Sequence, residues 1–204
     1  MVKDKLEAYK EKRDFSKTTE PLDEAVSFDW IKDRPIFVIQ KHQASSRHFD
    51  FRLEVNGVLV SWAVPKGPSM NPKVKRLAVP TEDHPLGYAD FEGIIPAGEY
   101  GGGTMIIWDR GSYKNLKNPI DGSEKPTIEK QLQDGHVTLW LEGEKVKGGF
   151  ALIRTGKSLK ARWLLIKIND DHADPQNEPT LIDNRSVKSG KILEEIRLSG
   201  EDNG

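Results

Sequence analysis

The stretch RHFDFRLEVNGVLVSWAV (residues 47–64) alternates apolar and polar side chains on either side of an Asn-Gly pair. Alternation with a period of two is typical of β-strands, and Asn56-Gly57 is the strongest short signal for a two-residue β-hairpin. The first strand has an apolar face with Phe49, Phe51, Leu53 and Val55, and a polar face with His48, Asp50, Arg52 and Glu54. Two such different faces fix the register of the strand, because a slip of one residue would exchange them.

Strand-like segments continue on both sides of this hairpin. The same alternation predicts strands at residues 35–42, 75–80, 103–109, 136–141, 147–154 and 161–168, and a short helix is predicted at residues 127–133. Helices do not alternate regularly with the strands, which argues against a doubly wound fold. We therefore expect a mainly β chain that forms a compact antiparallel β-barrel with a few short helices and an N-terminal helical arm.

The barrel is expected to occupy residues 35–170. Residues 1–34 are predicted to form the arm, with a short charged helix at residues 4–13 followed by an irregular segment. Residues 171–204 are predicted to form a polar C-terminal tail, in which the apolar spacing favours a short helix at residues 192–197.

The composition of the 204 residues excludes several classes of protein. Charged residues make up 31% and hydrophobic residues 36%, and no apolar run reaches the roughly 18 residues of a membrane-spanning helix. Cysteine is absent, so any metal must be held by His, Asp or Glu. With a formal net charge of −1, a nucleic-acid-binding surface would have to be a local concentration of Lys and Arg. We expect a cytoplasmic protein with no membrane partner.

The polar face of the first hairpin strand has the composition of a metal and phosphate site. His48 and Asp50 are spaced to bind one ion, and His42 becomes a third ligand if residues 43–47 fold back. Two imidazoles and a carboxylate suit a divalent ion such as Mn²⁺, Zn²⁺ or Fe²⁺. Arg52, one pleat further along, has the planar fork that binds two phosphate oxygens. The alternative is an ordinary strand with an exposed polar face.

Three further features each have a structural and a functional interpretation. His84, which precedes Pro85 in a loop, is either a turn residue or a catalytic group. A basic loop is either solvated or an electrostatic track for a polyanion, and its cations are Lys66, Lys73, Lys75 and Arg76. The stretch PAGEYGGG (residues 96–103) lacks the Gly-Lys-Ser/Thr ending of a nucleotide-binding loop, which favours a tight turn of the barrel.

Four ordered motifs are spread along most of the chain, from residue 9 to residue 167. They are YKEKRDFSKTTEP (9–21), FVIQKHQASSRHFDFRLEVNGVLVSWAVPKGPS (37–69), EDHPLGYADFEGIIPAGEYGGGTMIIWDRGSY (82–113) and, more weakly, LLIK (164–167). In this order they resemble the 3′-phosphoesterase domain of prokaryotic DNA ligase D, which acts in Ku-dependent end joining. The resemblance implies a compact antiparallel β-barrel with its active site in a groove on one face.

The resemblance also implies an activity and its partners. A metal-dependent 3′-phosphodiesterase would remove a 3′-terminal ribonucleoside from a DNA primer–template, and a 3′-phosphomonoesterase would convert the resulting 3′-phosphate into a ligatable 3′-hydroxyl. A DNA ligase and Ku are implied as functional partners near the nucleoid of a prokaryotic cytoplasm. Because the Lys-x-Asp-Gly motif of ligase adenylation is absent, we expect either a stand-alone phosphoesterase or a module excised from a larger ligase.

Residue by residue, the resemblance assigns roles to ten side chains. The implied ligands of a divalent metal, Mn²⁺ first and Zn²⁺ or Co²⁺ as substitutes, are His42, His48 and Asp50. The implied catalytic companions around the scissile phosphate are Arg52, His84 and Tyr88. The implied phosphate-binding or supporting residues are Gln40, Lys66, Arg76 and Glu82.

Two other functions remain open at the level of the sequence. A non-haem iron oxygenase-like barrel also uses a His-x-Asp pair, with a distant histidine such as His136 as the third ligand. A nucleic-acid-binding barrel with a structural metal is the non-enzymatic alternative. The first leaves His42, His84 and the basic loop unexplained, and the second lacks the four protein ligands that normally close a structural zinc site.

Overall fold

The computed structural model describes residues 5–22, 27–32, 35–119, 124–158 and 161–201. Its strands are β1 (Ile36–Gln43), β2 (Arg47–Val55), β3 (Val58–Val64), β4 (Lys75–Pro80), β5 (His84–Pro85), β6 (Gly93–Ile95), β7 (Gly103–Asn115), β8 (His136–Gly143), β9 (Lys147–Arg154) and β10 (Trp163–Lys167). They form one sheet in the order β1-β2-β3-β4-β10-β9-β8-β7-β6, with β5 beside β3. Because β7 also pairs with β1, eight antiparallel strands close into a barrel, which confirms the predicted fold.

The helices of the described residues are short. They are α1 (Glu7–Glu11), a 3₁₀ helix (Leu86–Asp90), α2 (Ile128–Asp134), α3 (Pro179–Ile182) and α4 (Leu193–Glu201). The side chain of Thr127 accepts a hydrogen bond from the Lys130 amide at the start of α2, and Gly135 ends that helix with φ +80°. None of the helices in the described residues is long and apolar enough to cross a lipid bilayer.

The β2–β3 hairpin forms as its sequence predicts. Asn56 and Gly57 have φ of 50° and 83°, the left-handed pair that a type I′ turn requires, and Val55 pairs with Val58 directly before and after them. The next hairpin, β1–β2, has the fold-back expected between residues 43 and 47. Its register places His42 opposite His48 and Gln40 opposite Asp50.

Strand β7 is longer than predicted, since it continues past Asp109 to Asn115. Its first part pairs with β1 and its last part pairs with β8, so this strand closes the barrel. Gly111 allows β8 to come close to β7 at the point where β7 pairs with both β1 and β8. A Cβ at this position would lie 2.0 Å from the carbonyl oxygen of Glu142. A glycine inside a strand pattern ends the apparent alternation, which explains why the prediction stopped early.

Two hydrophobic clusters lie on opposite faces of β1, and the first also contains the apolar face of β2. The first fills the barrel with residues from all eight of its strands, among them Phe37, Phe51, Trp62, Trp108, Leu139, Phe150 and Trp163. The second lies outside the barrel, where the N-terminal arm and the 3₁₀ helix pack on the sheet through residues such as Tyr9, Ile36, Leu59, Tyr88 and Phe91. The middle of the polar face of β2 lies under this outer layer: the Arg52 guanidinium is 4.8 Å from the Tyr88 ring, and Asp50 and Arg52 are only 5% and 2% exposed. The alternative of an ordinary exposed face is wrong.

The arm belongs to this outer layer. The Tyr9 ring is fully buried, with its centroid 5.1 Å from that of His84 and 6.0 Å from that of Tyr88, and its hydroxyl donates to the Pro21 carbonyl at 2.6 Å. Residues 1–4, 23–26, 33–34 and 202–204, which fall within the predicted arm and tail, lie outside the described residues. The division at residues 34/35 and 170/171 stays a prediction.

Candidate metal centre and phosphate pocket

Three potential metal ligands meet on the outer face of the β1–β2 hairpin. The rings of His42 and His48 are cross-strand neighbours with centroids 4.8 Å apart. Oδ2 of Asp50 lies 3.6 Å from Nδ1 of His42 and 3.7 Å from Nε2 of His48. One ligand atom of each residue lies within 4.8 Å of the other two. The register of the β1–β2 hairpin thus brings together His42, His48 and Asp50, the three ligands that the sequence predicted.

The chemistry of these three residues fits a divalent cation. Nε2 of His42 is buried and has no hydrogen-bond partner among the described residues, as expected for a nitrogen that ligates an ion. Nδ1 of His48 lies 3.0 Å from the carbonyl oxygen of Ser46, a contact that orients the ring. Burial opposes the charge of Asp50, but Arg52 and the two histidines lower the pKa of this carboxyl below its ordinary value. An ionised carboxylate with two imidazoles is a donor set for ions of the Mn²⁺, Co²⁺ or Zn²⁺ type.

Arg52 is fixed beside this group by contacts to several of its nitrogens. Its Nε donates to Oε1 of Gln40 at 2.7 Å, Nη1 donates to the Ser61 hydroxyl at 2.9 Å, and Nη2 lies 3.5 Å from Oδ2 of Asp50. The Gln40 amide in turn donates to the carbonyl oxygens of Tyr88 and Phe91, both at 2.9 Å. Gln40 therefore positions Arg52 rather than facing the pocket itself.

His84 and Tyr88 approach the group from the other side. Strand β5 places His84 against β3, and burial together with the positive charges of Arg52 and Arg13 lowers the pKa of His84 well below its ordinary value. The hydroxyl of Tyr88 donates to Oε1 of Glu20 at 2.8 Å, and burial together with Glu20 raises the pKa of Tyr88 well above its ordinary value. The pocket thus holds a neutral imidazole and a neutral phenol beside a permanent cation.

The N-terminal arm contributes an arginine that the sequence reasoning missed. Nε of Arg13 donates to Oε1 of Glu20 at 2.8 Å, Nη1 donates to Oε1 of Glu82 at 3.2 Å, and Nη2 lies 3.4 Å from Nε2 of His84. The side chains of Arg13 and Glu20 are only 4% and 0% exposed. Burial opposes the charge of Glu82, but Lys12 and Arg13 lower its pKa. The one signal for these residues was that RDFSKTTEP lies within a motif of the resemblance.

Together these residues line a pocket of about 150 Å³. Its walls include Arg13, His42, His48, Asp50, Arg52, Glu82, His84, Tyr88 and Tyr100. A concave site with two guanidinium groups next to a potential metal centre is suited to a phosphoryl group.

A family model described as "DNA Ligase D 3'-phosphoesterase domain" matches residues 40–154. The chain belongs to this family. The matched residues contain the three potential metal ligands together with Arg52, His84 and Tyr88.

Curated relatives of this chain are much longer proteins named LigD. The chain is 48% identical over 169 residues to the multifunctional non-homologous end joining protein LigD of Pseudomonas aeruginosa, covering 82% of this chain and 19% of that protein. It is 46% identical to the LigD protein of Mycobacterium tuberculosis, with 83% and 20% covered, and 42% identical to that of Mycolicibacterium smegmatis, with 93% and 24% covered. The chain therefore spans about a fifth to a quarter of the length of these relatives.

The phosphoesterase fold does not bring all ten predicted residues into one pocket. Lys66 and Arg76 lie in a second groove, which we call the basic groove and which is lined by Lys41, Arg47, Phe49, Pro65, Lys66, Arg76, Glu178, Thr180, Leu181 and Asn184. Lys41 comes two residues after Ile39 in β1, and its partner Phe49 comes two residues before Phe51 in β2, so both continue the inward-facing pleats towards one end. This groove therefore lies at a mouth of the barrel. Arg76 donates there to Oε2 of Glu178 at 2.8 Å.

Proposed function

We propose that this chain is a metal-dependent phosphoesterase that heals DNA 3′ ends for end joining. It would remove a 3′-terminal ribonucleoside to leave a 3′-phosphate, and then hydrolyse that phosphate to a ligatable 3′-hydroxyl. The observation that carries this proposal is the His42–His48–Asp50 group directly beside the buried guanidinium of Arg52, 3.5 Å from Asp50. Membership of the DNA ligase D 3′-phosphoesterase family supports it.

The two reactions balance as hydrolyses. In the first, a water oxygen bonds to phosphorus, the bond from phosphorus to O5′ of the terminal nucleoside breaks, and O5′ takes a proton. In the second, a water oxygen bonds to phosphorus, the bond to O3′ of the DNA breaks, and O3′ takes a proton. Both need neutralisation of the phosphoryl charge and a proton for the leaving oxygen.

A divalent ion would be held by His42, His48 and Asp50, and we propose Mn²⁺, with Zn²⁺ or Co²⁺ as substitutes. The chemistry supplied by such an ion when bound is Lewis-acid stabilisation of negative charge at the phosphoryl group. The buried Nε2 of His42 and the ionised carboxylate of Asp50 are the groups in this chain that are suited to hold it.

The cationic residues of the pocket bind and orient the phosphoryl group. Arg52 and Arg13 bind its non-bridging oxygens from two sides, since both guanidinium groups line the pocket. His84, neutral between them, gives a ring hydrogen bond to the leaving oxygen in the transition state.

The remaining predicted residues support these contacts. Gln40 holds Arg52, and Glu82 together with Glu20 holds Arg13. Tyr88 packs its ring 4.8 Å from the Arg52 guanidinium and so restricts its movement.

The proposed partner of the chain is a DNA primer–template with a 3′-ribonucleotide or a 3′-phosphate. Lys66 and Arg76 would contact its phosphates in the basic groove, where Lys41 and Arg47 add positive charge. A DNA ligase and Ku, acting in a prokaryotic cytoplasm, are proposed as the proteins that use the healed end.

The two alternatives lack support in the described residues. His136 begins β8 as an exposed residue and is not part of the His42–His48–Asp50 group, so an iron site completed by this histidine does not form. A metal-plus-oxoacid turnover assay tests the oxygenase. DNA binding that leaves the 3′ end unchanged would favour a purely binding function.

Gel analysis of the 3′ end of a labelled primer tests the proposal directly. A 5′-labelled primer with one 3′-ribonucleotide is annealed to a template and incubated with the protein and either Mn²⁺ or a chelator. We expect conversion through a 3′-phosphate to a 3′-hydroxyl with Mn²⁺ and an unchanged primer with chelator. A primer that stays intact under all metals would refute the proposed function. Exposed His136, changed in His136→Ala, provides a matched control that should retain full activity.

A further inference from the structure

A second pocket adjoins the proposed phosphate pocket beneath residues 96–103, which we call the glycine loop. It has a volume of about 540 Å³ and shares Ala44, Ile95 and Gly101 with the phosphate pocket, so the two form one continuous concave surface. This volume falls in the range of roughly 300–1,000 Å³ that is typical of small-molecule sites. The mechanism proposed above does not use it.

The glycine loop is built to form a firm wall of this pocket. Two successive turns hold it, with the Glu99 amide donating to the Pro96 carbonyl at 3.2 Å and the Gly102 amide donating to the Glu99 carbonyl at 3.0 Å. A Cβ at Gly103, which has φ +148°, would lie 2.2 Å from the carbonyl oxygen of Gln43. The loop is therefore pressed against the end of β1, directly beyond His42, and a side chain at this glycine would lift it away.

The lining of this pocket is mostly apolar and carries no positive charge. Its apolar residues are Ala44, Ile94, Ile95 and Ala97, together with Gly98, Gly101, Gly102 and Gly103. Its polar residues are Gln43, Ser45, Glu99 and Thr104, and none of the lining residues is a lysine or an arginine. The single charged side chain of the lining is thus the carboxylate of Glu99, and its Oε1 lies 3.6 Å from Nζ of the exposed Lys17 in the arm. Such a surface suits a neutral molecule with an apolar face and hydroxyl groups, and none of its lining residues offers a cation to a phosphate chain.

The basic groove at the barrel mouth has the opposite character. Four cations line it, Lys41, Arg47, Lys66 and Arg76, against the single carboxylate of Glu178. A nucleic-acid backbone is a chain of anions, so it is attracted to this groove. The two surfaces next to the hairpin therefore differ in charge in the way that the two halves of a 3′-terminal diester differ: one half is polyanionic DNA and the other is an uncharged nucleoside.

We propose that the glycine-loop pocket binds the terminal nucleoside of the 3′-phosphodiester while the scissile phosphate lies at the His42–His48–Asp50 group. This inference rests on the proposed function and adds to it the residues that recognise one half of the substrate. The base packs on the apolar wall of Ile94 and Ala97, and the sugar hydroxyls meet Ser45 and Glu99. The 3′-phosphate monoester has no such nucleoside, so the pocket contributes only to the diesterase reaction.

The inference is tested by a substitution that fills the pocket, with activity measured on the 3′-ribonucleoside primer and on the 3′-phosphate primer. Ala97 is an exposed alanine in the pocket wall, and Ala97→Phe would occupy the space of a base. We expect kcat/KM for the primer with a 3′-ribonucleoside to fall by about tenfold or more, and kcat/KM for the same primer with a 3′-phosphate to stay within about twofold. Ala8→Phe, at an exposed alanine outside both pockets, is the matched control and should leave both values unchanged.

Free adenosine provides an independent probe of the same pocket. It should inhibit the diesterase reaction of the original protein competitively and inhibit Ala97→Phe far less. Should Ala97→Phe fail to fold, as judged by its melting temperature, Ser45→Phe fills the pocket from the opposite wall at an exposed turn residue.

The possible results separate this inference from the proposed function. An equal loss with both substrates would overturn the inference, since it would place the DNA strand in the pocket, and so would unchanged kinetics with the diester. An original protein that processes neither substrate would refute the proposed function itself. A selective loss with the diester supports both.

Discussion

Nη1 of Arg52 lies 2.9 Å from Nδ1 of His84, and the guanidinium of Arg13 approaches the opposite ring nitrogen, Nε2, to 3.4 Å. One imidazole is thus held between two permanent cations, at a site where the His84 side chain is buried. A protonated ring would add a third positive charge in a place with little water. Burial and the two arginines therefore keep His84 neutral, and the positive charge around this ring comes from residues that cannot lose it.

The first prediction concerns the protonation of His84. Since the pKa of His84 is lowered well below its ordinary value of 6.5, the ring should stay neutral in chelator through the pH range in which a free imidazole takes up its proton. The folded state then binds this proton less tightly than the unfolded state, so the contribution of His84 to the free energy of unfolding is full above about pH 6.5 and is lost as the pH falls. NMR titration of the labelled ring measures this directly. A midpoint at or above 6.5 would contradict the structure.

The second prediction is that metal binding depends on Asp50. An ion that binds only the folded protein stabilises it by about 2.7 kcal/mol at one hundred times its Kd, so Mn²⁺ should raise the melting temperature of the original protein. Asp50→Asn keeps the shape of the side chain but removes its charge, and the rise should largely disappear. Because His136 is exposed and outside the group, His136→Ala should keep the full rise. An undiminished rise in Asp50→Asn would remove Asp50 from the metal centre.

The third prediction concerns the ion pair of the arm, Arg13 with Glu20. Breaking a buried pair by removing one partner costs about 3–5 kcal/mol, because the other charge is left uncompensated. Arg13→Gln should therefore lower the free energy of unfolding by that order and also reduce 3′-phosphate turnover. In the double variant Arg13→Gln/Glu20→Gln no buried charge is left alone, so part of the stability should return while turnover stays low. Urea unfolding and the primer assay measure the two effects. Recovery of turnover in the double variant would show that Arg13 acts only through stability.

The fourth prediction concerns Asp109 on β7, away from the phosphate pocket. Its Oδ1 accepts hydrogen bonds from the amides of Arg110, Glu144 and Lys145 at 3.0, 2.9 and 3.2 Å, and its Oδ2 accepts one from the Val146 amide at 2.8 Å. Burial nevertheless raises the pKa of Asp109 from 3.8 to about 6. The folded state thus binds this proton more tightly, and the contribution to stability is full below about pH 4 and is lost as the pH rises through 6.

Asp109→Asn tests this linkage because the amide does not titrate. A shift from 3.8 to about 6 corresponds to roughly 3 kcal/mol, so the free energy of unfolding of the original protein should fall relative to the variant by up to that amount between pH 4 and pH 7. Urea unfolding at several pH values gives the difference. A difference that does not change with pH would show that the four amide contacts fully compensate the burial.

Local patterns were sufficient to predict most of the strands. The hairpin at Asn56-Gly57 and the strict alternation of β2 depend on neighbours in the chain, so their geometry can be read from a short window. The same windows failed at β5, β6 and the 3₁₀ helix. Strands β5 and β6 are short segments held by pairing with β3 and β7, and the 3₁₀ helix accepts a hydrogen bond from Gln40 of β1 at the Tyr88 carbonyl. Nothing local distinguishes such segments from loops, since their hydrogen bonds go to distant strands.

The sequence by itself determined the hairpin, the fold class and the grouping of His42, His48 and Asp50, because the alternation of β2 and a short fold-back place these residues together. The resemblance added His84 and Tyr88. Only the tertiary structure decided that this polar face is buried, that the arm supplies Arg13 and Glu20, and that Lys66 and Arg76 lie in a separate groove. The contacts of Arg13 with Glu82 and His84 span 69 and 71 residues, and such contacts arise from the packing of the arm on the closed barrel, which no local period encodes.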